Sequence, residues 1–173
     1  LFEAAGLADV VEADVRPDIR DSDALRYAVA DIAPDVVVHL AAQPLVRESY
    51  VDPRTTMETN VIGTMNVLDA VGRTSSVRAH LVITTDKVYR NVDQVAGYVE
   101  DDALGGHDPY SASKAMADLL VQSWTSSFPV CPTAIARAGN VIGGGDVSKD
   151  RLLPDLLSAF AAGRPAHIRY PDA

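Results

Sequence analysis

An α/β fold with a doubly wound parallel sheet is the architecture this chain predicts, on three observations. Short β-branched runs recur along it: Val36-Val37-Val38-His39-Leu40, His80-Leu81-Val82-Ile83-Thr84 and Thr133-Ala134-Ile135-Ala136-Arg137. Segments with helical spacing separate these runs, the alternation expected of βαβ units. The first run is apolar throughout, which predicts a strand covered on both faces.

The elements follow in order. The chain opens on residues that read as the tail of a helix, and Pro34-Asp35 leads into the first strand. Residues 53–73 predict a helix, with Pro53 suited to the first turn and Met57, Val61, Met65 and Leu68 forming one apolar stripe. After the second strand, Asp108-Pro109 starts a long helix toward Phe128. Asp108 is its expected cap, and Leu120, Trp124 and Phe128 are expected to face inward. Beyond the third strand, Gly143-Gly144-Gly145 opens a loop, residues 152–162 predict a helix, and residues 166–169 predict a short strand.

Composition excludes several classes. At 173 residues the chain can bury a sizeable core, and no apolar run approaches the roughly 20 residues of a membrane span. A single cysteine, Cys131, excludes an internal disulfide and a cysteine zinc cluster. The net charge of −9 opposes nucleic acid and anionic membrane surfaces, so neither is an expected partner. A soluble cytoplasmic protein is the default expectation. His39 reads as buried in its strand, and His80, His107 and His167 are too scattered for a metal site.

The chemistry concentrates in Tyr110-Ser111-Ala112-Ser113-Lys114 and Thr84-Thr85-Asp86-Lys87. A tyrosine and a lysine four apart on a helix share a face. An ammonium beside a phenol favours the phenolate and lowers its pKa from about 10, so this tyrosine can serve as a base near neutral pH. The plain alternatives are an exposed aromatic with a solvated lysine, a capping role for Thr85 and a solvated Lys87. No G-x-G-x-x-G occurs. The chain is therefore either no nucleotide binder or an internal piece of a longer one, and the second is the expectation.

Several segments together resemble the extended short-chain dehydrogenase/reductase family and, within it, the sugar-nucleotide 4,6-dehydratases. They are Asp18-Ile19-Arg20-Asp21, His39-Leu40-Ala41-Ala42-Gln43, Thr59-Asn60-Val61 with Gly63-Thr64, Thr84-Thr85-Asp86, and the Tyr110–Lys114 run. A narrower resemblance, to the CDP-glucose 4,6-dehydratases, lies in residues 42–50, Thr85-Asp86-Lys87, Leu104-Gly105-Gly106 and residues 137–146. It implies a Rossmann-like fold without the first strand, Gly-rich turn and helix. Residues 1–137 would be a partial NAD-binding domain and 138–173 the start of a nucleotide-sugar-binding region.

The implied activity is dehydration of a nucleotide-activated glucose, CDP-glucose foremost, to its 4-keto-6-deoxy sugar with tightly held NAD. The resemblance makes Tyr110 the base for the carbon 4 hydroxyl, supported by Lys114 and Thr85. It makes Asp86 the acid for the leaving hydroxyl and Lys87 the base at carbon 5. Implied cofactor contacts are Asp18, Ile19, Leu40, Ala41, Ala42, Gln43, Asn60, Thr84, Tyr110 and Lys114, with Asp14 competing with Asp18. Implied substrate contacts are Gln43, Thr85, Asn140, Arg151 and Arg169; for the arginines, a surface position is an equal alternative. A homodimer through the helices 53–73 and 109–128 is implied, as is an isolated piece that is unstable and binds dinucleotide poorly. NAD and NADP are not distinguished. An NAD-dependent nucleotide-sugar 4-epimerase and a non-catalytic NAD-binding regulatory module are the alternatives.

Overall fold

The computed structural model describes residues 6–148 and 150–168. The chain divides into two compact units, Val15–Gly139 and a smaller one formed by Leu1–Asp14 with Asn140–Ala173.

The larger unit carries a three-stranded sheet. Helix α1 spans Ser22–Ile32, capped by the Asp21 carboxylate, which accepts from the Ala24 amide. Strand β1, Val36–His39, follows. Short helices α2 (Val46–Val51) and α3 (Pro53–Met57) run into one π-helical turn, Glu58–Ile62, and then helix α4, Gly63–Arg73. Strand β2 spans Ala79–Thr85 and ends in a 3₁₀ turn, Asp86–Val88. Helix α5 spans Pro109–Ser127 and leads to strand β3, Thr133–Ala138. The strands lie in the order β1-β2-β3, all parallel, with Val37 opposite His80, His80 opposite Thr133, and Thr84 opposite Arg137. The predicted α/β architecture with a parallel sheet is what forms.

The helix starts follow the sequence. Asp52 and Asp108 accept from the amides of Thr55 and Ser111, and Pro53 and Pro109 occupy the first turns. Proline costs nothing there, because that N–H has no helical acceptor. Two apolar clusters hold the unit together. One joins Leu25, Val67, Ala70, Val71 and Val77; the other joins Leu68, Val82 and Val121, with Leu120, Trp124 and Ile135 packed against it.

Four expectations change. On β1, Val36 and Val38 remain exposed while His39 is buried, because within this unit the helices cover only the His39 side of the sheet. The 53–73 helix buries Thr56, Asn60, Thr64, Val67 and Val71, and Met57, Val61 and Met65 only flank that face. The π turn inserts an extra residue, so a regular helical stripe does not run through it. Phe128 ends α5 exposed, its ring tilted on Trp124 with 4.8 Å between centroids. Residues 166–168 form no strand, and Arg169 lies outside the described residues.

In the smaller unit, a 3₁₀ turn, Leu7–Asp9, and helix α6, Leu152–Ala161, are the regular elements among the described residues.

Candidate active site

In an open parallel sheet, ligands sit beyond the carboxyl ends of the strands. Here β1 delivers Leu40–Gln43 to that edge, β2 delivers Thr84, Thr85 and the Asp86–Val88 turn, and the first turns of α5 bring Tyr110 and Lys114.

Lys114 is almost fully buried, and its ammonium donates to the Ile83 carbonyl at 2.9 Å. Burial lowers its pKa to about 8, while the Asp118 charge one turn along the helix opposes that shift. The group thus stays mostly cationic at neutral pH inside low-dielectric surroundings. Tyr110 lies one helical turn before it, on the same face. Thr85 ends β2 with its hydroxyl donating to Asp86 Oδ1 at 2.9 Å and accepting from the Lys87 amide at 3.4 Å. The Lys87 ammonium lies 3.5 Å from the same Asp86 oxygen, and both charged side chains are solvent-accessible.

A buried relay fixes the backbone around these groups. The Asn60 side chain, in the π turn, accepts from the Gln43 amide at 2.8 Å and donates to the Gln43 carbonyl and the Ser113 hydroxyl. Ser113 in turn donates to the Tyr110 carbonyl, and the Tyr110 amide donates to buried Ser49 of α2. The Gln43 carboxamide donates to Leu45 O and Thr56 Oγ1 and accepts from the Leu45 amide. Asn60 and Gln43 therefore spend their amides on holding the strand-end loop to α5. Leu40 is exposed, and Ala41 and Ala42 bring no bulk beyond a methyl group to that loop.

Asp18 and Ile19 are held to α4. Asn66 donates to the Ile19 carbonyl at 2.8 Å, and the Ile19 side chain lies over Gly63, where a Cβ would fall 2.5 Å from its Cδ1. The Asp18 carboxylate accepts from the Arg20 backbone and guanidinium, and those bonds lower its pKa to about 2. His39 shares a hydrogen bond of 3.0 Å with Thr64 Oγ1. The Thr64 hydrogen goes to the Asn60 carbonyl, so His39 Nε2 is the donor. Burial, then the Lys114 and His80 charges, lower the His39 pKa to about 4.

Asp118 does not stand out in the sequence, and nothing there gives Arg137 a role. Asp118 is fully buried; it accepts two bonds from Arg137, at 2.9 and 3.0 Å, and one each from Thr84 and Gln122. Burial pushes its carboxyl up, but these donors outweigh burial and hold it below the usual range. The signal that could have found it is the four-residue spacing itself, since Tyr110, Lys114 and Asp118 lie one turn apart on α5. A cleft of about 1150 Å³ on this side is lined by Asp86, Lys87, Tyr89, Tyr98, Glu100 and Arg137 among others, with neither Tyr110 nor Lys114 in its wall.

Asn140 and Arg151 belong to the smaller unit. Both line a cavity of about 520 Å³ formed by the Gly143–Gly145 loop and the start of α6. The structure thus groups Thr84, Thr85, Asp86 and Lys87 at one strand end and Asn140 with Arg151 in one cavity. Arg169 lies outside the described residues.

The family described as GDP-mannose 4,6 dehydratase matches residues 11–169. This chain belongs to that family. It is 45% identical over 179 residues to CDP-glucose 4,6-dehydratase of Salmonella typhimurium, covering 99% of this chain and 50% of that protein. Its fold is similar to that of the DesIV double mutant (dTDP-glucose 4,6-dehydratase) from Streptomyces venezuelae with NAD and DAU bound. The TM-score is 0.79 at 29% identity, over 92% of this chain and 49% of that one. UDP-glucose 4-epimerase from Brucella ovis in complex with NAD gives a TM-score of 0.65 at 26% identity, over 73% of this chain and 38% of that one. The chain spans about half the length of the curated relatives it matches.

Proposed function

We propose that the full-length protein dehydrates a nucleotide-activated glucose, CDP-glucose foremost, to its 4-keto-6-deoxy sugar with NAD. The observation that carries this reading is the Lys114 ammonium, buried against Ile83 O at the sheet edge, one turn from Tyr110 and beside Thr85-Asp86-Lys87. The 45% identity to a CDP-glucose 4,6-dehydratase supports the substrate class.

The residues fit a dinucleotide. A buried ammonium faces the strand ends, the small Ala41 and Ala42 leave backbone accessible, and the relay through Asn60 holds that backbone still. Leu40, Ala41, Ala42 and Lys114 would hold the nicotinamide half and the phosphates, and Asp18 and Ile19 the adenine, while Gln43 and Thr84, bonded to Asn60 and Asp118, would position the strand ends. NAD, when bound, supplies the acceptor for the carbon 4 hydride and the donor that later reduces carbon 6.

The chain's own groups then move protons. Tyr110 takes the carbon 4 hydroxyl proton, its phenolate form favoured by the Lys114 ammonium on the same helix face. Lys87 takes the carbon 5 proton and gives it back to carbon 5 when carbon 6 is reduced, and Asp86 gives a proton to the leaving carbon 6 hydroxyl, which departs as water. In the observed state Asp86 accepts from both Thr85 and Lys87. Asn140, Arg151 and Arg169 would hold the nucleotide diphosphate, since guanidinium forks fit phosphate oxygens. We further propose a cytoplasmic homodimer, through the helices that expose Ile62 on one and Met116 and Leu119 on the other.

The test incubates full-length protein with CDP-glucose and NAD. The expected product has lost one water, and Tyr110→Phe abolishes its formation. A 4-epimer of unchanged mass would assign the epimerase instead. Tight NAD binding without turnover of any nucleotide sugar would assign the regulatory module.

A further inference from the structure

Arg137 occupies a position that no step above uses. It stands on β3 opposite Thr84, on the face of the sheet beneath α5. Its guanidinium makes four bonds in two directions. Nε and one terminal nitrogen form the fork on Asp118; the other terminal nitrogen donates to Tyr89 Oη at 3.1 Å and to the Glu100 carbonyl at 2.8 Å. The guanidinium carbon also lies 4.9 Å from the centroid of the Tyr89 ring, which stacks on Tyr98 at 5.1 Å. One side chain thus staples the segment 89–100 to helix α5.

That segment governs the Asp86–Val88 turn. The Tyr89 amide closes the turn by donating to Asp86 O, as Thr85 closes its start by accepting from the Lys87 amide. The start of the turn belongs to β2; its end is held by buried Val88, whose carbonyl accepts from the Gly105 amide, by the Tyr89–Leu104 bridge, and by the Arg137 bond to the Tyr89 hydroxyl, the one side-chain tie that reaches it from β3. Neither Lys114 nor Tyr110 bonds Arg137: Lys114 donates to Ile83 O, Tyr110 is held by Ser49 and Ser113, and Arg137 bears on Lys114 only through the Asp118 charge.

We infer that Arg137 is a positioning residue for the elimination half of the reaction. By fixing Tyr89 and Glu100 it sets where Asp86 and Lys87 point, and it leaves the Tyr110–Lys114 oxidation apparatus unaffected. The inference rests on the dehydratase reading.

Arg137→Lys in the full-length protein is the decisive variant. Lysine keeps a positive charge for Asp118, but its single nitrogen cannot span Asp118, Tyr89 and Glu100 together. A hydrogen bond to a charged group is strong enough that losing these should speed amide exchange in residues 89–102 by about tenfold or more. Exchange in β2 and α5 stays at the wild-type rate. In single-turnover mixing with sugar nucleotide, reduced nicotinamide appears at the wild-type rate and then accumulates. Exchange of the carbon 5 proton with solvent and release of dehydrated product both fall by about tenfold.

Tyr89→Phe, which keeps the ring stack and removes one bond, gives the same pattern with smaller amplitude and serves should Arg137→Lys fail to fold. Unchanged exchange in 89–102, or exchange raised equally through β2 and α5, would overturn the positioning role. So would slowed oxidation with no accumulation of reduced nicotinamide. A wild-type protein that dehydrates nothing sinks the functional reading, while the exchange measurement still decides whether Arg137 holds the segment.

Discussion

Helix α5 and strand β1 treat their side chains in opposite ways. On α5, Lys114 is 7% exposed and Asp118 fully buried, whereas on β1 the valines Val36 and Val38 are 55% and 48% exposed. Hydropathy alone assigns the reverse. The difference lies in partners and cover. Each buried charge on α5 has a bonded counterpart: Ile83 O for Lys114, and Arg137, Thr84 and Gln122 for Asp118. Burying a charge is tolerated only on those terms. The β1 valines face the side of the sheet that no described element of their unit covers.

Four substitutions or titrations break or sharpen this contrast. The largest effect is expected from Asp118→Ala, which leaves the Arg137 guanidinium without its fork and costs about 3–5 kcal/mol in full-length protein. Denaturant unfolding measures it; a loss below about 1 kcal/mol would mean the pair is not an anchor.

Acid comes next. His39 and His80 are both held near pKa 4, the first by burial and the Lys114 and His80 charges, the second by burial. Unfolded histidine titrates near 6.5, so the unfolded chain takes up protons first. The stabilisation is complete above pH 6.5 and is lost as pH falls toward 4, at roughly 2 kcal/mol per ring by pH 5. Among the described residues, neither His80 nitrogen has a hydrogen-bond partner. His80→Leu should therefore remove that ring's share of the acid sensitivity without loss of stability at neutral pH, as melting at pH 7 and pH 5 would show.

Asn60→Ala comes third, leaving the Gln43 amide unpaired for about 1–3 kcal/mol. If the relay orders the site, dinucleotide affinity measured by calorimetry falls with it.

The smallest effect is expected for Val38→Thr, within about 0.5 kcal/mol. A loss well above that in full-length protein would show the exposed face covered there, and so restore the strand expected from the sequence.

Much of this arrangement is local and could be read directly. The caps at Asp52 and Asp108, the prolines after them, the strand runs and the four-residue step from Tyr110 to Lys114 all depend on neighbours within a few positions. What could not be read depends on distant pairs. Arg137 meets Asp118 from 19 residues away and Tyr89 from 48, and Asn60 meets Ser113 from 53. The π turn at Asn60 carries no composition signal, and it moves the buried face away from Met57 and Met65. Phe128 has the periodicity of a core residue but sits past the last residue of α5, where no described element covers it.

By itself the sequence determined the three strands of the sheet, the starts of the helices at Pro53 and Pro109, and that a tyrosine and a lysine share one face. Those outcomes follow from backbone sterics, capping bonds and the 3.6-residue period, all short-range along the chain. Only the tertiary structure decided which polar groups are buried, and that Asn60 and Gln43 bond each other and their surroundings. It also made Arg137 the tie between α5 and the turn bearing Asp86 and Lys87. Burial and pairing of polar groups are properties of surfaces brought together across the sheet, and no spacing along the chain encodes them.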